Sequence, residues 1–214
     1  MFLKFQNKGF TLAEVLITLL VIGVVASLVI PAIIQDSQDA ELKTALKSFY
    51  SSISDATRLI MFDNGGSING LYTSNTVMRD LYANKMSITQ KCDENDSPDN
   101  CWHPTSGVVK RYDGDYWALT EKFPGIKLTN GTLLLFALTY PNCDGQYSGL
   151  ISPVSCALIR VDINGFKGPN TFGKDIFDFH ILQTTVSPRG GSYDNYHNCS
   201  ASGDRCAYSV LKNS

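Results

Sequence analysis

The sequence predicts an α+β protein. One long N-terminal helix spans a membrane with its first half and packs through its second half on an antiparallel β-sheet. Three observations carry that reading. Val15 to Ile34 is an uncharged run that makes about 30 Å of helix, the thickness of a bilayer core. Beyond it, apolar residues recur at helical spacing as far as Ile60. Further on, short β-branched and aromatic runs alternate with turn signals, and all six cysteines lie in that distal part.

The helix starts close to the N-terminus. Lys4 and Lys8 precede the apolar run, and Asp36, Asp39 and Glu41 follow it. The positive-inside rule therefore places the short N-terminus in the cytoplasm and the large domain outside. A cleaved secretory signal is one alternative, with Val24-Val25-Ala26 as its small-x-small site. Such signals have an apolar core of about 7–15 residues, shorter than this run. A plain anchor accounts for the length, but it leaves Gly9-Phe10 and Glu14 unexplained. An acid at a helix centre costs roughly 2.5–3.5 kcal/mol on insertion scales.

The chain begins MFLKFQNKG and continues FTLAEVLITLLVIGVVASLVIP. This resembles the signal of type IV pilins and type II secretion pseudopilins: a short basic leader ending in Gly, then Phe-Thr-Leu-x-Glu and an apolar helix. The resemblance covers about the first 35 residues and fades beyond them. It implies that a prepilin peptidase cuts between Gly9 and Phe10 and methylates the new amine. Gly9 suits this, since a residue without Cβ lets a protease approach the backbone. It further implies that Glu14 acts in assembly, pairing with the amine of its own or a neighbouring subunit, and that Pro31 kinks the helix. The implied partners are copies of itself or other pilins, an inner-membrane assembly platform with a cytoplasmic ATPase, and membrane lipid before assembly.

The implied division is a leader at 1–9, a membrane and filament-core helix at 10–35, an amphipathic continuation at 36–63, and an extracytoplasmic disulfide-braced pilin-like domain at 64–214. Pro31 removes one backbone bond and crowds the preceding turn, and Gly23 lowers helix propensity. A kink or local melting is expected near Ala26–Pro31. Between Asp36 and Asp63, Leu42, Leu46, Phe49, Ile53, Ala56 and Ile60 alternate spacings of four and three, one narrow stripe for packing on the domain. Asn64-Gly65-Gly66 supplies the stop.

Residues 64–114 read as a polar connector with helical pieces around Thr76–Ala83. Asp115–Thr120 reads as a short strand. Ile126–Thr129, Asn130-Gly131 and Thr132–Thr139 read as a hairpin with a type I′ turn. Ala157–Ile163 and Ile176–Gln183 are two further strands, for a sheet of four or so, and the region from Ser187 reads as loop.

An even number of cysteines beyond a membrane segment argues for disulfides in an oxidising compartment. Neighbours are the preferred pairs: Cys92 with Cys101, Cys143 with Cys156, Cys199 with Cys206. Metal ligation or free thiols are the alternatives, and the absence of CxxC disfavours zinc. Asp162, Asn164, Asn170 and Asp175 offer oxygens in DINGFKGPNTFGKD. The spacing fails the EF-hand pattern, and pseudopilins carry a calcium loop in their C-terminal sheet. A turn built on Asn-Gly and Gly-Pro chemistry is the preferred reading, so no cofactor or metal is expected.

With 43% apolar and 18% charged residues the chain can build a core. At a net charge of −2, with Lys110-Arg111 as its longest basic cluster, it shows no basic stripe, and no nucleic-acid partner is indicated. His103, His180 and His197 lack paired-ligand spacing, no GxSxG or phosphate loop occurs, and Trp102 and Trp117 read as core or loop anchors. No enzyme is expected. The sequence favours a structural filament subunit. The alternative is a minor pilin whose loops at 90–105 and 140–156 bind a surface, DNA or cargo. A membrane-anchored enzyme is a poor third.

Overall fold

The computed structural model describes residues 9, 11–104, 106–111, 113–117, 122–145, 155–190 and 207–212. The chain divides into two compact units, Met1–Glu41 and Leu42–Ser214. Helix α1 runs from Leu12 to Asp63. In the first unit its apolar side chains stand open, with Leu12 82% and Leu28 73% exposed. Pro31 lies inside the helix, which continues through it unbroken.

In the second unit α1 buries Leu46, Phe49, Ile53, Ala56, Thr57 and Ile60, the stripe its 4/3 spacing demands. Asn64 ends the helix by donating its side-chain amide to the Ile60 carbonyl at 2.7 Å, while the Gly66 amide reaches Met61 at 2.8 Å. Helix α2, Asn75–Ala83, begins where Ser74 Oγ accepts from the Val77 amide. Its Tyr82 hydroxyl meets Thr57 Oγ1 of α1 at 2.7 Å and the Tyr72 hydroxyl at 3.2 Å, fully buried.

One sheet of six antiparallel strands follows in sequential order: β1 Ile88–Cys92, β2 Gly125–Leu128, β3 Leu133–Thr139, β4 Ala157–Asp162, β5 Ile176–Ile181 and β6 Val186–Pro188. Period-two alternation gives it two buried faces. Ile126, Leu134, Phe136, Ile159, Val161, Phe177 and Phe179 join the α1 stripe in the main core, where the Phe49 and Phe179 rings lie 5.5 Å apart. On the outer face Leu133, Leu135 and Ile176 form a smaller core with Trp102, Val109 and Phe172. Strands β4 and β5 are buried throughout.

The α+β class with an antiparallel sheet stands as expected, with six strands instead of about four. The two additional strands, β1 and β6, are sheet edges. β1 reads ITQKC with its middle exposed, so it lacks the alternation that marks a half-buried strand. β6 ends at Pro188, which an edge tolerates. Asp115–Thr120 forms no strand over its described part: Tyr116 makes one isolated bridge to Lys110. Residues 118–120 lie outside the described residues.

The β2–β3 hairpin exists, but its turn differs from the expected type. Gly131 has φ +93° while Asn130 does not enter positive φ, and type I′ requires both. The Gly131 amide bonds to Leu128 O and the Leu128 amide to Thr132 O, a tight turn closed by a glycine bulge. A last helix, α3 Ala207–Lys212, lies in the region expected to be loop.

Candidate functional site

The N-terminal segment carries the chemistry that composition singles out. Gly9 is exposed, and a Cβ built on it would meet nothing within 4 Å. Phe10 lies outside the described residues. Thr11 precedes the first helical residue, and the Val15 amide bonds to its carbonyl at 3.3 Å.

Glu14 is tied to Thr11 by a reciprocal set of bonds. Its Oε2 accepts from the Thr11 amide and from Thr11 Oγ1, each at 2.8 Å. The Glu14 amide donates back to Thr11 Oγ1 at 3.3 Å. This is a capping box, in which an N-cap hydroxyl and an acid three residues on satisfy each other's backbone donors. Helix ends leave such donors unpaired, and in an apolar medium each unpaired group costs several kcal/mol. Thr11 thus gives the lone carboxylate of the apolar segment two donors from its own chain. Thr11 is absent from the residues that sequence reasoning singles out, although Thr-x-x-Glu before an apolar run is the signature that finds it. Glu14 Oε1 carries no bond to a described residue.

Beyond Glu14, helix α1 is long and apolar enough to cross a membrane. Its open side chains, Leu16, Ile17, Leu20, Ile22, Val25 and Ile30 among them, cover more than one side of the helix. A helix hydrophobic all round seeks lipid or other helices.

The second unit places the remaining candidates. Cys92 is bonded to Cys101 and Cys143 to Cys156, with no free cysteine among the described residues. Cys199 and Cys206 lie outside those residues. The first bridge closes a loop in which the Ser97 carbonyl accepts the amides of Asn100, Cys101 and Trp102. That loop sits on Gly125, where a Cβ would come within 2.9 Å of Ser97 Oγ and 3.0 Å of Cys101 Cβ. Only glycine at this position of β2 admits the bridge so close.

In the Asp162–Asp175 loop the carboxylates are engaged within the protein. Asp162 Oδ2 lies 2.8 Å from His103 Nε2, and its Oδ1 accepts the Asn164 amide. Asp175 accepts the amides of Asn170 and Thr171 at 2.7 and 2.6 Å. Burial pushes the Asp162 carboxyl up to about 7, against the His103 hydrogen bond and with Asp175 adding to the rise. Among the described residues no cluster of three or more His, Cys, Asp or Glu could hold a metal ion. Trp102 is buried in the outer-face core, and Trp117 packs edge-on against Phe172 at 5.6 Å. His180 is buried on β5. Asp178 beside it is held by Arg160 at 2.9 Å and Arg189 at 3.3 Å.

Comparison with known proteins adds one match. Residues 4–30 fit the family model described as the prokaryotic N-terminal methylation motif. No curated protein and no solved structure matches the chain. The chain therefore carries a type IV pilin or pseudopilin signal at its N-terminus, on a long apolar helix followed by an antiparallel sheet.

Proposed function

We propose that the chain is a structural subunit of a type IV pilus or type II secretion pseudopilus. It is cut between Gly9 and Phe10 by a prepilin peptidase, methylated on the Phe10 amine and polymerised through α1. The observation that carries this reading is the methylation motif at residues 4–30, joined to an apolar helical segment from Leu12 to Ile34 whose side chains stand open and whose single acid is Glu14. A secretory signal is discarded with its apolar core, whereas this segment continues as one helix into the stripe that packs on the sheet.

Before assembly the helix lies in the inner membrane with the N-terminus cytoplasmic and the domain outside. In the filament, residues 10–35 form the core and residues 64–214 the surface. Cleavage creates a cationic amine with an ordinary pKa of about 7.7–8.0. The capping box survives the cut, because the Thr11 amide belongs to the Phe10–Thr11 bond. One Glu14 oxygen then holds the helix start while the other accepts the amine of its own or an adjacent copy. At about 4 Å and an effective dielectric near 20, such a pair gains roughly 4 kcal/mol before desolvation, comparable with the insertion cost of the acid. The platform protein and ATPase act from outside this chain. A minor, ligand-binding pilin is the second reading.

Mass spectrometry of the mature N-terminus, together with the sheared filament fraction, tests the proposal. N-methylated Phe10 in filaments is the expected result. An intact Met1, or a cut near Ala26, overturns it.

A further inference from the structure

We propose that His103, Asp162 and Asp175 form a proton-operated latch. It clamps the segment carrying Trp102, Val109, Lys110 and Trp117 onto the outer face of the sheet, and it loosens as the surroundings turn alkaline. The latch lies wholly within the second unit and does not depend on the filament reading.

Two polar attachments hold that segment. In the first, His103 Nε2 lies 2.8 Å from Asp162 Oδ2 at the end of β4, with both side chains buried. In the second, the Lys110 amide bonds to Asn170 O and the Phe172 amide to Lys110 O. Asp175 shapes the partner of this second attachment, because it accepts the Asn170 and Thr171 amides at 2.7 and 2.6 Å. Each attachment therefore ends on a buried carboxylate. Between them Trp102 and Val109 fill the outer-face core, and Trp117 closes edge-on over Phe172. The near end of the segment is tethered by the Cys92–Cys101 bridge.

Charge makes these attachments sensitive to protons. Asp162 and Asp175 are fully buried and close enough to repel each other. Among the described residues no Lys or Arg forms an ion pair with either; His103 is the partner of Asp162. The buried arginines of this face serve another acid: Arg160 of β4 and Arg189 both hold Asp178 of β5, with His180 next along that face. Lys127 of β2 sits over the Phe166 ring, Lys110 over Tyr116 and Arg111 over Trp117. Lys167 and Lys174 stand in water, as do Glu94, Asp96, Asp99, Asp113 and Asp115. A buried anion without a cation is costly, and neighbouring like charges disfavour joint ionisation. The closed latch avoids that cost by holding a proton. Burial keeps Asp162 protonated up to about 7, against the His103 hydrogen bond and with Asp175 adding to the rise, and burial raises Asp175 as well. Opened to water, Asp162 returns to its ordinary 3.8 and releases the proton. Closure is therefore strongest at low pH and weakens as pH rises through about 7.

The test is hydrogen exchange of the full-length chain in detergent micelles, read at the Lys110 and Phe172 amides and corrected for the intrinsic pH dependence of exchange. From about pH 6 to about pH 8 the opening constant should rise about 2- to 10-fold. The smaller factor applies if His103 takes the proton on opening, the larger if water takes it. Asp162→Asn should leave the opening constant level over that range. Asp175→Asn, which removes the like charge and keeps the His103–Asp162 pair, should shrink the rise. The Leu46 and Ile53 amides of the α1 stripe report global unfolding, and the latch amides should exchange faster than these at every pH. A wild-type opening constant that is flat or falls with pH overturns the proposal. So does an Asp162→Asn variant that keeps the wild-type rise, or latch amides that exchange only in step with Leu46 and Ile53.

Discussion

Replacing Thr11 by Val separates the capping box from every other role of the N-terminal segment. Val keeps the shape of Thr and the peptide amide, but removes the hydroxyl. Two of the three bonds between Thr11 and Glu14 then disappear: the 2.8 Å bond to the carboxylate and the 3.3 Å bond from the Glu14 amide. Losing an N-cap side chain costs about 0.5–2 kcal/mol, and a hydrogen bond to a charged group contributes about 1.5–3 kcal/mol. The two estimates overlap because one hydroxyl serves both, so about 2 kcal/mol is the reasonable expectation. Thr11→Ser retains the hydroxyl and should behave as the parent. The direct measurement is NMR of the full-length protein in micelles, reading amide shifts and exchange from Leu12 to Val15. Thr11→Val should move the helix start inward and speed exchange at Glu14 by about thirtyfold, the equivalent of 2 kcal/mol. If Val and Ser variants give the same shifts and exchange, the capping argument is wrong.

Other outcomes follow from the second unit and from Glu14. Burial raises Asp162 from an ordinary 3.8 to about 7, so the folded state keeps a proton that the unfolded chain releases. Stability from this group is fully present below about pH 4 and falls by roughly 4 kcal/mol as pH rises through 7. Thermal melts of the wild type should decline over that range more steeply than those of Asp162→Asn, and parallel declines would refute the assignment. Changing Cys92 and Cys101 together to Ser should cost about 2.5–3 kcal/mol on the chain-entropy model for a bridge of sequence separation 9, read as a lower denaturation midpoint. Adding millimolar calcium should leave the melt in place, because Asp162 and Asp175 are engaged by His103 and by backbone amides; an upward shift lost on Asp175→Asn would reverse that view. Glu14→Ala should leave the melt of the outer domain unchanged while depleting the subunit from sheared filaments.

How much of this was legible in the sequence depends on where burial is one-sided. The α1 stripe from Leu46 to Ile60 faces a single core, so its spacing records its environment directly. Strands β3, β4 and β5 were found because apolar runs of that length leave few alternatives. Edge strands escape because pairing on one side needs no apolar pattern, as ITQKC illustrates. Asn130-Gly131 announces a reversal, but the local backbone decided which turn closes it. Trp102, Val109 and Phe172 of the outer-face core are single residues in separate segments, and only the outward side chains Leu133, Leu135 and Ile176 of the pleated sheet bring them together. No window of sequence contains that proximity.

The N-terminal site poses the opposite problem, because everything it needs lies within a few residues. Reading Glu14 only as a charge leads directly to a cationic partner that exists after cleavage. Reading it as the acid three residues after the N-cap of a capping box leads to Thr11, which is present from synthesis. The two readings are compatible because a carboxylate has two oxygens and several lone pairs. Oε2 is spent on the helix start, and Oε1 has no bond to a described residue. On the proposed function, the insertion cost of the acid is partly offset before any partner arrives, and an uncleaved subunit can wait in the bilayer. Pairing with an amine then adds to a carboxylate already fixed in position, so less of the gain is lost to ordering the side chain. On the proposed function Thr11 and Glu14 are one device: the hydroxyl holds the acid in place, and cleavage would then supply its charge partner.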